Sequence, residues 1–163
     1  MNTIIDFFKN SVKNYPDKIA VIFEKNEISY KQLDNLVNSL SNSLIHLEKA
    51  SIVSIYLENS TDFVVSYLAI LNAGMIAHLI PTNLRKEKIQ KQLEISQSKL
   101  IITSKHLIDK INSINYNCKK IIFIESNFHQ IQQNKLMKIN NEHAYLIFTS
   151  GTTAEPKGVI ITQ

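Results

Sequence analysis

The stretch YLIFTSGTTAEPKGVIITQ, residues 145–163, places a polar loop between two apolar runs. The first run, Tyr145–Phe148, predicts a buried strand, and the β-branched run Val159–Thr162 predicts a second one. The ten residues between them contain four hydroxyls, two glycines and one lysine, which cannot pack a core. Glycine lets the backbone approach a ligand, hydroxyls donate to phosphate oxygens, and lysine supplies positive charge. The stretch therefore predicts an anion-binding loop.

This loop differs from the P-loop of the common nucleotide hydrolases, GxxxxGK[ST]. Counting from Gly151, the second glycine is replaced by Pro156, and Lys157 is followed by Gly158 rather than by a hydroxyl. The alternative is a hydroxyl-rich hairpin loop that binds no ligand.

Upstream of this stretch, predicted helices alternate with predicted strands. An amphipathic helix is predicted by apolar residues at three- and four-residue spacing, namely Leu33, Val37, Leu40, Leu44 and Leu47. A capping box over Ser29–Gln32 marks its start. Further helices are predicted over residues 3–14, 61–73, 84–95, 106–111 and 128–136, and strands over 19–23, 52–57, 75–80, 99–103 and 120–125. This order predicts an α/β layered fold with a largely parallel sheet flanked by helices.

Residues 63–80 form the one segment that resembles a membrane span. They carry no formal charge and just reach the ~18 residues that such a span requires. Asn72, Gly74 and His78 interrupt the second half, and a glycine commonly ends a helix. We therefore predict a helix that ends at Gly74 and a following strand, and no membrane span.

Composition and charge limit the classes of protein to which the chain could belong. The 163 residues are 44% hydrophobic and 20% charged, which predicts one globular domain. Arg85 is the only arginine among 18 basic residues and the lysines are scattered, so no nucleic-acid surface is predicted. Cys118 is the single cysteine, and the five histidines form no HxxxH pair, so no disulfide and no metal site are predicted. The start MNTIIDFFKN lacks the features of a signal peptide, and we expect a cytoplasmic protein.

Residues 149–158, TSGTTAEPKG, resemble the phosphate-binding loop of the adenylate-forming enzymes, the AMP-binding superfamily. The family pattern is roughly [ST]-[SG]-G-[ST]-[ST]-G-x-P-K-G, and only Ala154 departs from it. Residues 28–33, ISYKQL, resemble the early [LI]-[ST]-Y-x-[EQ]-L motif, and residues 73–103 resemble the block that follows. The segment Leu79–Thr82 departs from the family, which often has its proline earlier in this segment. The resemblance covers nearly the whole chain.

The resemblance implies that the chain is the N-terminal part of the large domain of these enzymes. It also implies the reaction that they catalyse. ATP and a carboxylic acid give an acyl-adenylate and pyrophosphate, and the acyl group then passes to the thiol of CoA or phosphopantetheine. The residues implied in phosphate binding are Thr149, Ser150, Gly151, Thr152, Thr153, Lys157 and Gly158. The resemblance implies no catalytic base, nucleophile or metal ligand in this chain. The groups for adenine, ribose and Mg²⁺ follow this loop in the family and are expected beyond Gln163.

Residues 1–163 are therefore expected to be a single incomplete AMP-binding (adenylation) domain that ends just after its phosphate-binding loop. Its expected partners are ATP, a carboxylic acid and the missing C-terminal part of the enzyme, without which we expect no activity. An acyl-CoA synthetase-like ligase is the first hypothesis, because the block over residues 73–103 lacks the proline-rich form associated with amino-acid activation. The alternatives are an amino-acid adenylation domain of a peptide synthetase, a non-catalytic nucleotide-binding remnant, and a structural α/β domain with a decayed loop.

Overall fold

The computed structural model describes residues 3–116 and, as backbone strands, residues 120–123, 143–149 and 157–162. The helices are α1 (Ile4–Asn14), α2 (Tyr30–Leu44), α3 (Thr61–Asn72), α4 (Lys86–Ser96) and α5 (Ile108–Asn112). The strands are β1 (Ile19–Phe23), β2 (Asn26–Ser29), β3 (Ile52–Tyr56), β4 (Ile76–Leu79), β5 (Leu100–Thr103), β6 (Lys120–Phe123), β7 (His143–Thr149) and β8 (Lys157–Thr162).

Six of these strands form one sheet in the order β6-β5-β3-β4-β7-β8. The first five run parallel to one another. Strand β8 is antiparallel to β7, and β1 and β2 form a separate antiparallel pair. The prediction of an α/β fold with a largely parallel sheet flanked by helices is confirmed.

Two hydrophobic clusters cover the two faces of the sheet. The first lies against α1, α2 and α3, and its buried sheet residues are Val53, Ile55, Ala77, Leu100 and Ile102. The second lies against α4 and α5, and its buried members are Tyr56, Ile80, Ile89, Leu93, Ile101, Ile111 and Ile114. Side chains alternate between the faces along β3 and β5, as a pleated strand requires. Each fully buried leucine or isoleucine contributes roughly 1.5–3 kcal/mol to folding.

The predicted capping box at the start of α2 is present. The backbone N–H of Gln32 donates to Ser29 Oγ over 3.3 Å, and the backbone N–H of Ser29 donates to Gln32 Oε1 over 2.8 Å. The predicted extension of this helix to Leu47 is wrong, because α2 ends at Leu44. Leu47 lies in the following turn, where its N–H donates to the Leu44 carbonyl, and its side chain still packs against the first cluster.

Gly74 ends α3, as the sequence predicts. Its φ of 76° is the left-handed conformation that glycine adopts without a steric penalty. The N–H of Gly74 donates to the Leu71 carbonyl and the N–H of Met75 to the Ile70 carbonyl, the two hydrogen bonds of a Schellman motif. The chain then turns directly into β4. Among the described residues, no helix is long and apolar enough to cross a membrane.

Two predicted helix starts lie two residues too early in the sequence. Leu84 lies in a turn, where its N–H donates to the Pro81 carbonyl, and α4 begins at Lys86. Leu107 lies in a similar turn that reaches back to the Ser104 carbonyl, so α5 begins at Ile108 rather than at His106. The helix predicted over residues 128–136 lies outside the described residues.

Candidate functional site

The predicted anion-binding loop connects two strands that pair with each other. Strands β7 and β8 are antiparallel, with Thr149 opposite Lys157 and Phe148 opposite Gly158. Thr149, Lys157 and Gly158 are therefore strand residues, and their placement in the loop is wrong. Backbone hydrogen bonds between strands do not require apolar side chains, so the ladder extends beyond the apolar runs that marked the strands in the sequence.

The β7–β8 pairing fixes where the loop begins and ends. Opposite residues of an antiparallel pair have Cα atoms about 4.5–5.5 Å apart, so the backbones of Thr149 and Lys157 lie side by side. Ser150, Gly151, Thr152 and Thr153 lie in the connecting segment 150–156, which is outside the described residues. Their assignment to phosphate binding stays a prediction.

The loop starts at the carboxyl edge of the parallel sheet. Strand β7 runs parallel to β4, with Ala77 opposite Tyr145 and His78 opposite Leu146. Thr149 therefore ends β7 at the edge where β3, β4 and β5 also end. Open α/β sheets bind their ligands at this carboxyl edge. The hairpin position thus fits the hydroxyl, glycine and lysine composition of the segment that it carries.

A polar contact at this carboxyl edge was not foreseen from the sequence. The Tyr56 hydroxyl donates to the Thr82 carbonyl over 3.0 Å, and Lys110 Nζ donates to the same oxygen over 3.1 Å. Lys110 Nζ also lies 5.9 Å from the centre of the Tyr56 ring. These contacts hold the segment that follows β4 against the end of β3. No sequence signal marked Tyr56, which lies inside the strand predicted over residues 52–57.

A second set of polar residues follows β3 and β5 at the same edge. Glu58 Oε2 lies 3.5 Å from His106 Nε2, and the Ser104 hydroxyl lies 3.4 Å from that nitrogen. Both side chains are largely exposed, so the pair contributes at most about 1 kcal/mol. Burial raises the pKa of Asp62 in the first turn of α3. No group of three or more His, Cys, Asp or Glu residues within the described part of the chain could hold a metal ion.

A buried polar network crosses the sheet beside the hairpin. His78 of β4 is fully buried, and its Nδ1 lies 2.8 Å from the Oγ of Ser54, its register partner in β3. Ser54 Oγ lies 2.8 Å from the Oγ of Ser98, which precedes β5. The side chain of Gln92, on α4, is also buried and lies close to the His78 ring. We define the three hydrogen-bonded residues Ser98, Ser54 and His78 as the serine–histidine network.

Burial of His78 predicts a loss of stability in acid. Desolvation lowers the pKa of His78 from 6.5 to about 4, against a smaller opposing effect of the nearby Gln92 side chain. Between pH 4 and pH 6.5 the unfolded chain binds a proton at His78 and the folded chain does not. The free energy of unfolding is therefore undiminished by this group above pH 6.5 and decreases as the pH falls towards 4. The shift corresponds to about 3 kcal/mol. We expect urea denaturation at pH 7 and pH 4.5 to show this decrease. His78→Asn should remove this component of the pH dependence, and an unchanged dependence in that variant would contradict the prediction.

A family model described as AMP-binding enzyme matches residues 8–163. The chain belongs to this family of adenylate-forming enzymes. It is 32% identical to gramicidin S synthase 1 of Brevibacillus brevis over 164 residues, which cover 98% of this chain and 15% of that protein. The chain therefore spans about a seventh of the length of this relative.

Solved structures share the fold. The N-terminal subdomain of NpsA from Klebsiella oxytoca aligns with a TM-score of 0.83 at 23% identity, covering 99% of this chain and 42% of that one. The AMPPNP-bound form of FmoA3, from the nonribosomal peptide synthetases, aligns with a TM-score of 0.86 at 20% identity, covering 99% and 17%. At these identities the similarity establishes the fold alone.

Proposed function

We propose that this chain forms part of an adenylation domain of the peptide-synthetase type. The protein would activate a carboxylic acid with ATP to an acyl-adenylate and pyrophosphate, and pass the acyl group to a thiol. One observation carries the proposal. The TSGTTAEPKG segment joins two paired strands at the carboxyl edge of the sheet, where α/β proteins bind ligands.

The similarities favour the peptide-synthetase alternative over the acyl-CoA synthetase hypothesis. Gramicidin S synthase 1 and tyrocidine synthase 1 both align over 98% of the chain. FmoA3 belongs to the nonribosomal peptide synthetases and binds AMPPNP. These relatives support an amino or related acid as substrate. They also support a phosphopantetheine thiol, rather than CoA, as the acceptor.

The loop residues would hold the triphosphate while the acid attacks the α-phosphate. Backbone N–H groups around Gly151 and the neighbouring hydroxyls can donate to the β- and γ-phosphate oxygens. Lys157 would add a positive charge at the second end of the loop, opposite Thr149 in the strand ladder. Mg²⁺ bound with ATP would neutralise charge that develops in the transition state. None of these residues is a general base or a nucleophile, so their contribution is positioning and charge stabilisation.

Exchange of labelled pyrophosphate into ATP tests the proposal on the protein that carries this sequence. A panel of amino, aryl and fatty acids is supplied one at a time, with a reaction lacking acid as the blank. We expect exchange with an amino or aryl acid and none with fatty acids. The product should load onto a phosphopantetheine-bearing carrier protein and not onto CoA. Formation of an acyl-CoA would restore the acyl-CoA synthetase hypothesis. If the protein binds ATP but none of the acids supports exchange, the nucleotide-binding remnant would be favoured.

A further inference from the structure

The directions of the hydrogen bonds in the serine–histidine network follow from the contacts of Ser98, at one end of the network. Ser98 Oγ lies 3.0 Å from the Leu100 carbonyl oxygen and 3.3 Å from the Ile52 carbonyl oxygen. Carbonyl oxygens only accept, so the Ser98 hydroxyl must use its single hydrogen on one of them. A hydroxyl oxygen facing two carbonyls without that hydrogen would be repelled by both.

The remaining directions follow in order. Because the Ser98 hydrogen is used on a carbonyl, the 2.8 Å contact between the two serines requires Ser54 to donate to Ser98. The Ser54 hydrogen is then also used, so Ser54 accepts at its 2.8 Å contact with His78 Nδ1. His78 Nδ1 must therefore carry a hydrogen.

We infer that His78 is held as the neutral Nδ1–H tautomer by the Ser98–Ser54 chain, and that this network positions β4 where the β7–β8 hairpin attaches. The described β4–β7 register consists of Ala77 opposite Tyr145 and His78 opposite Leu146. His78 is thus both the side chain in the network and one of the two backbone positions that pair with β7.

The network joins the elements on which the hairpin depends. Ser98 precedes β5, Ser54 lies in β3 and His78 lies in β4, so one chain of hydrogen bonds links three adjacent strands. All three side chains are at least 97% buried, where an unsatisfied donor or acceptor is costly. A change at any member therefore moves hydrogens along the whole network. Three residues beyond Leu146, β7 ends at Thr149, where the loop of the proposed function begins.

Long-range ¹H–¹⁵N NMR of the histidine rings tests the tautomer directly, because protonated and unprotonated ring nitrogens have well separated ¹⁵N shifts. The sample is the protein that carries this sequence, with ¹⁵N-labelled histidine, and the His78 signals are identified by their loss in His78→Asn. We expect the protonated nitrogen of His78 to be Nδ1. Protonation at Nε2 would overturn the inference, and this readout does not depend on any enzymatic activity.

Removal of either serine hydroxyl should reverse the tautomer. In Ser54→Ala, Nδ1 loses its acceptor and the hydrogen moves to Nε2. In Ser98→Ala, the freed Ser54 hydrogen turns towards Nδ1, with the same result. Ser66→Ala is the matched control, because Ser66 is also fully buried and donates to the Asp62 carbonyl, outside the network. An unchanged tautomer in both network variants would overturn the inference.

The positioning role has two measurable consequences. Hydrogen–deuterium exchange of the peptide that contains β7 should be faster in Ser54→Ala and Ser98→Ala than in Ser66→Ala. The second consequence rests on the proposed function. The Kd for MgATP, measured by calorimetry, should rise roughly two- to tenfold, the equivalent of one net hydrogen bond. Unchanged exchange in β7 would refute the positioning role. A protein that binds no MgATP, but shows the tautomer and the exchange difference, would refute the proposed function and leave this inference standing.

Discussion

A polypeptide limited to residues 1–163 is expected to catalyse no pyrophosphate exchange above the blank with any acid. A loop that contacts only the phosphates of ATP provides no contacts to adenine, ribose or the acid, so ATP affinity should be weak, about −4 kcal/mol or near millimolar. Loss of substrate positioning alone removes roughly 7–11 kcal/mol of barrier reduction, so turnover should vanish rather than slow.

Exchange is measured on the purified polypeptide with fatty, aryl and amino acids. Far-UV circular dichroism provides the control that the polypeptide is folded. Exchange above the blank that disappears in Lys157→Ala would contradict the prediction, because it would show that residues 1–163 contain a working active site.

Lys157→Ala in the protein that carries this chain is expected to slow adenylate formation roughly tenfold to a hundredfold, as the loss of one charge-assisted phosphate contact implies. Ile160→Val is the matched control, because it lies in the same strand β8 and removes one methylene group without changing charge. Both variants should be compared by initial rates of pyrophosphate exchange at saturating acid. Equal rates for wild type and Lys157→Ala would exclude the lysine from the reaction.

The sheet and its helices could be predicted because their signals are local in the sequence. The capping box at Ser29–Gln32, the glycine at Gly74 and the β-branched runs each act on neighbouring residues, and all of them mark the elements that the structure contains. Strand β2 was not predicted, because Ile28 is the only apolar residue among its four, and the other errors fall at element ends. Leu47 and Leu84 pack against hydrophobic clusters from turns, so their apolar spacing imitated a longer helix. Burial against a core does not require helical backbone.

The site could be predicted only in part, because much of it depends on contacts between distant residues. The composition of residues 149–158 indicated phosphate binding, and pairing of β7 with β8 places both ends of that segment together. No local pattern indicates that Tyr56 and Lys110 meet at the Thr82 carbonyl. His78 likewise gave no signal beyond a polar residue in an apolar run. Its partner Ser54 lies 24 residues away in sequence and meets it only through the parallel pairing of β3 and β4.

The place of β7 beside β4 has a consequence for the order of assembly. Val53 and its partner Ala77 are 24 residues apart in the chain, whereas Ala77 and its partner Tyr145 are 68 apart. Closing the longer loop costs about 1 kcal/mol more in chain entropy, and its contacts form only after that cost is met. Formation of the β3–α3–β4 unit before the arrival of β7 is therefore the entropically favoured route. Because β5 and β6 precede β7 in the chain, synthesis from the N-terminus favours the same order.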